Sequence, residues 1–165
     1  MEIKRVVQHL LVTEGQVRRT FPHRTLVLIE KAIKSSEAAH SGEIRFVVEG
    51  ALDGVPLFTG QSARERAIEV FSQQRVWDTQ NNNGLLIYVL LADRAVEIVA
   101  DRGIDAKVSP QEWSKICQQM ETAFRHANYE HGVVSGVQAV TQHLVAHFPA
   151  DGYTGNELPD KPVLL

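Results

Sequence analysis

Thiols are nearly absent from this chain: Cys117 is the one cysteine in 165 residues. A lone thiol excludes an intrachain disulfide framework and a multi-thiolate zinc site. Folding therefore needs no oxidising compartment, which fits an expected cytoplasmic location. Long apolar runs are missing too. No stretch approaches the roughly 18 residues that suggest a membrane span, and the opening segment breaks its apolar pairs with polar residues, unlike a secretory leader. Nor is there much excess charge. A formal charge of −3 and a pI near 6.2 give no global electrostatic case for nucleic acid. The Gly-x-x-x-x-Gly-Lys-Ser/Thr phosphate loop, Gly-x-Gly-x-x-Gly, Gly-x-Ser-x-Gly and His-Glu-x-x-His are all lacking. Their absence argues against P-loop nucleotide hydrolysis, a standard dinucleotide site, a serine-hydrolase elbow and that class of zinc hydrolase.

What remains is an ordinary globular composition, 44% hydrophobic and 22% charged, long enough to bury a sizeable core. Ile3, Val6, Val7, Leu10 and Leu11 follow helical spacing, which predicts an amphipathic helix docked by its apolar stripe. Residues 1–25 also carry five Lys/Arg against two Glu, the pattern of a partner or membrane-surface helix. Docking on its own domain is the preferred expectation. A second helix is predicted from Pro22 or Thr25 to Ala39, with Gly42 closing it at positive φ. Glu43 to Glu49 reads as a strand. Ser62-Ala-Arg-Glu65 and Ser109-Pro-Gln-Glu112 are capping boxes, the second with proline at the first helical position.

Leu85 to Leu91 is apolar without alternation, the mark of a central strand covered on both faces. A short turn leads to a partner strand, Ala95 to Ala100, and a last helix spans about Glu130 to His147. The order predicts an α/β fold, a three-layer α/β/α sandwich with a mixed central sheet: an antiparallel hairpin beside a parallel crossover.

Candidate chemistry gathers in loops. Asp78, Asn82 and Asn83 precede the central strand, Asp101 follows its partner, and Asp53 lies in the loop after the first strand. These hard oxygen donors suit Ca²⁺ or Mg²⁺. They are also ordinary turn residues, since Asn and Asp bond their own backbone. Arg102 could hold a phosphate in fork geometry. Cys117, Trp113 and Phe124 read as core, as does Trp77. His143 and His147 have the i, i+4 spacing of a metal face but no third ligand.

Taken together, Ala67-Ile-Glu-Val-Phe71, Asn83-Gly84-Leu-Leu-Ile-Tyr-Val-Leu-Leu91, the turn Asp93-Arg94 and Val96-Glu-Ile-Val-Ala-Asp-Arg-Gly-Ile104 resemble the TPM-domain family. That domain is shared by thylakoid-lumen acid phosphatases and photosystem II repair proteins, and the resemblance covers about residues 25–149. It implies an α/β/α sandwich and, in some members, divalent-cation binding or phosphate-monoester hydrolysis; others act as auxiliary factors. Relatives typically carry an acidic or basic residue before Asn-Gly and a glycine pair after the second strand. Here Asn82 precedes Asn83-Gly84 and Asp101 replaces the first glycine.

The expected organisation is an amphipathic helix and linker (1–21), a TPM-like domain (22–149) and a polar tail (150–165). The leading functional expectation is a binding or accessory protein with a Ca²⁺ or Mg²⁺ site among Asp53, Asp78, Asn82, Asn83 and Asp101. Its partner would be a protein such as a membrane-anchored TPM relative. The alternative is a metal-dependent phosphatase using Asp101 and Arg102, the ion polarising the phosphoryl group.

Overall fold

The computed structural model describes residues 2–153 and 155–165. Helices α1 (Ile3–Leu11), α2 (Glu14–Thr20) and α3 (His23–Glu37) precede strand β1 (Glu43–Glu49). Helices α4 (Gly54–Phe58) and α5 (Ala63–Gln73) lead to the hairpin β2 (Gly84–Leu90) and β3 (Ala95–Ala100). Then come α6 (Arg102–Asp105), α7 (Pro110–Arg125), α8 (Tyr129–His147) and a terminal strand β4 (Val163–Leu164). The sheet order is β3-β2-β1-β4. β1 pairs parallel with β2 and with β4, while β3 is antiparallel to β2, so the mixed sheet is as expected.

Every residue of β1 and β2 is buried, because both faces are covered. Ile44, Phe46, Val48, Leu85, Ile87 and Val89 point into a core closed by α3, α7 and α8. Val47, Leu86, Tyr88 and Leu90 point the other way, onto Leu57, Ala67, Val70 and Leu158. This double burial is why β2 shows no alternation. Both expected capping boxes are present: Ser62 accepts from the Glu65 amide, and Glu112 reaches back to the Ser109 amide at 3.3 Å.

The structure departs from expectation in four places. A third capping box, Thr13 with Gln16, opens α2 where a break was expected. Gly42 has no positive φ; a Cβ there would press within 3.2 Å of Leu144, so the glycine serves close packing. Trp77 is not core but half exposed, with the Arg75 guanidinium 5.6 Å from its ring centre.

The fourth departure is α1, which docks through Arg5, His9 and Val6 and leaves most of its apolar stripe outward. Arg5 chelates the Asp93 carboxylate in the β2–β3 turn, with its shortest contact at 2.7 Å, and donates to the Gln61 carbonyl. His9, buried, accepts from the Leu52 amide at Nδ1 (2.9 Å), so its proton sits on Nε2 and is donated to Asp93 at 2.8 Å. Val6 packs beside them against the core that holds Leu52 and Leu57.

The polar tail folds back. The Glu43 carboxylate accepts from the Glu157 and Leu158 amides, and Arg45 donates to the Pro159 and Lys161 carbonyls. Val163 and Leu164 then extend the sheet beside Val47 and Val48. Among the described residues no helix is long and apolar enough to cross a membrane.

Candidate functional site

The register sets which loops meet. Glu43 lies opposite Gly84, and Leu85 opposite Ala100. The starts of β1 and β2 and the end of β3 therefore share one end of the sheet. Asn82, Asn83, Asp101 and Arg102 lie there together. Asp53 does not: it follows the far end of β1, whose seven residues span roughly 20 Å at about 3.3 Å per step.

Asn82 adopts φ of 50°, a conformation asparagine tolerates better than most residues. Its carbonyl accepts from the Gly103 amide at 3.0 Å, and its side-chain oxygen accepts from Arg102 at 3.3 Å. Gly103 is required for this approach, since a Cβ would come within 2.5 Å of the Asn82 carbonyl oxygen. Asn83 is fully buried. Its side-chain nitrogen donates to the Ser41 carbonyl at 2.8 Å, its amide donates to Thr79 Oγ1 and its carbonyl accepts from the Glu43 amide. Asp101 caps α6, accepting at Oδ1 from the Arg102 amide at 2.8 Å.

Several polar atoms at this end are left over. Asn83 Oδ1 and Asp101 Oδ2 are buried with no hydrogen-bond partner among the described residues. Next to Ser41, both ring nitrogens of the buried His40 are also unpartnered, and burial drives its pKa down to about 4. Sequence reasoning passed over His40; its place directly before Ser41-Gly42, at the entry to β1, was the available signal. Asp78 stands on the same side but is engaged on the surface by Arg75 at 2.7 Å.

The donors on offer are amide oxygens and one carboxylate. No group of three His, Cys, Asp or Glu that could hold a metal occurs among the described residues. Asn83 Oδ1 and Asp101 Oδ2 are the atoms there with free capacity for a hard cation. Elsewhere, His143 packs edge-on against Trp113 at 5.3 Å, an aromatic contact. Burial pushes the Cys117 thiol up to about 12, which suits a packing role.

The profile of the TPM domain family matches residues 20–143, well over half of the chain. The chain belongs to the TPM domain family. Protein BA42 from the psychrophilic bacterium Bizionia argentinensis is similar to it, with 28% identity and a TM-score of 0.74 over 86% of this chain and 93% of that one. The N-terminal domain of a protein from P. gingivalis is also similar, with 21% identity and a TM-score of 0.62 over 84% of this chain and 94% of that one. The N-terminal domain of cg2496 from Corynebacterium glutamicum shares the fold at 12% identity, with a TM-score of 0.55 over 87% and 81% of the two chains. No curated protein matches the chain. In this TPM domain, α1 and most of α2 precede the matched residues.

Proposed function

We propose that this TPM domain is a binding or accessory module that takes Ca²⁺ or Mg²⁺ at the strand-end loops, through Asn83 and Asp101 with Asn82 beside them. The observation that carries the reading is the pair of buried, unpartnered oxygens, Asn83 Oδ1 and Asp101 Oδ2. An unsatisfied buried acceptor costs about 1–3 kcal/mol, and a hard cation removes that penalty. With one carboxylate the site is weak, in the range of about 10⁻⁴–10⁻³ M.

Calorimetric titration of the chelator-stripped protein tests this. Saturable heat with Ca²⁺ or Mg²⁺ is expected for the wild type and for Asp53→Asn, and is expected to vanish in Asp101→Asn. Absence of heat at millimolar cation, or identical heat in Asp101→Asn, would remove the site. The phosphatase alternative needs Asp78, Asp101 and a further loop aspartate such as Asp53 around one ion, and the length of β1 separates Asp53 from the other two. Arg102, its phosphate ligand, leans on Asn82. A protein partner, such as a membrane-anchored TPM relative, belongs to the same accessory reading.

A further inference from the structure

Because α1 docks through Arg5, His9 and Val6, the rest of its apolar stripe faces outward. Ile3 is 74% exposed, Val7 48%, Leu10 67% and Leu11 66%. Helix α4, packed next to α1, leaves Val55 and Phe58 uncovered as well, at 73% and 56%. Large exposed apolar side chains gathered on neighbouring elements mark an interaction surface, whereas scattered single ones do not. Anchoring through Arg5 and His9 turns only Val6 of that stripe inward, so the fold holds the other four residues outward.

Charge decides what covers it. Residues 1–25 carry five Lys/Arg against two Glu in a chain of net −3, so positive charge is segregated onto this segment. Arg5 is neutralised by Asp93, but Lys4, Arg18 and Arg19 are exposed and form no ion pair among the described residues. A second copy would bring the same positive segment to the interface and repel it. An anionic bilayer offers apolar depth for the stripe and negative headgroups for its basic flank. We propose that α1, with α4 beside it, seats this domain on an anionic phospholipid surface.

Vesicle flotation tests the proposal on the full chain. At about 0.1 M salt, where the Debye length is about 10 Å, the protein is expected to float with phosphatidylcholine vesicles containing about one-third phosphatidylserine and much less with phosphatidylcholine alone. The double variant Val7→Asp/Leu10→Asp, at exposed positions, is expected to keep its far-UV circular dichroism and lose vesicle binding about tenfold or more. Lys4→Glu should weaken the preference for the anionic vesicles without touching the stripe. Failure of the wild type to float, or flotation unchanged in the double variant, would overturn the proposal. So would a lipid-free dimer seen by light scattering and dissolved by Val7→Asp/Leu10→Asp, which would assign the face to a second copy.

Discussion

Glu37 shows how far one side chain can be moved by its surroundings. Its carboxyl accepts from the Ile44 amide at 2.9 Å, and burial, with Glu43 and Asp160 nearby, pushes its pKa up to about 9. The folded protein therefore keeps a proton that the unfolded chain has released above about pH 4.5. Stability is expected to fall as pH rises between those values, by at most about 1.4 kcal/mol per pH unit. Urea denaturation from pH 7 to 9 should show this decline in the wild type and a flatter profile in Glu37→Gln. His40 has the opposite sign: with its pKa lowered to about 4, its contribution is complete above pH 6.5 and is lost as pH falls toward 4. Another single-residue expectation concerns Glu49, which is buried and held by two Arg66 bonds of 2.9 Å and by the Tyr88 hydroxyl at 2.6 Å. Glu49→Ala takes the acceptor from the Tyr88 hydroxyl and leaves Arg66 only its 3.1 Å contact with Glu69, and should cost about 1–3 kcal/mol in chemical denaturation. None of these environments was legible in the sequence, because each is assembled from residues far apart in the chain. The unpartnered oxygens of Asn83 and Asp101 belong to the same category: residue type flagged them, but only the fold shows which atoms go unsatisfied.

Among the elements, those with a local signature were legible. The capping residues Ser62 and Ser109, the unalternating β2 and the hairpin to β3 all lie where spacing and turn chemistry put them. Thr13-Glu-Gly-Gln16 carries the same capping signature, within the segment expected to be a linker. Helix α1 had the strongest periodicity of all and leaves most of its apolar stripe outward, since periodicity records which face is apolar and not which face meets the domain. Edge strand β3 holds another feature no local pattern could reveal. Its outward Val96 amide donates to Glu121 at 3.0 Å, and its Ile98 carbonyl accepts from Arg64. These side chains occupy groups that would otherwise template a foreign strand. Glu121→Ala is expected to cost about 1–2 kcal/mol and to raise concentration-dependent association, read by light scattering.

For the molecule as a whole, the tail is a structural strap. It satisfies the buried Glu43 and Arg45 and covers the free side of β1. A chain ending at Ala150 would leave both charges in place without their backbone partners, and should unfold at clearly lower temperature by calorimetry. The tail's polar composition marked it as a tail and left this attachment open, since it depends on two charged residues at the start of β1. That strand also divides the molecule into two chemically distinct poles. The Asn83–Asp101 oxygens lie off its beginning, and the outward face of α1 lies past its end, about 20 Å apart at strand rise. A cation held at one pole cannot bridge to a lipid phosphate at the other. Under the two proposals, vesicle association should therefore persist undiminished in chelator, with the loop end turned to the aqueous side.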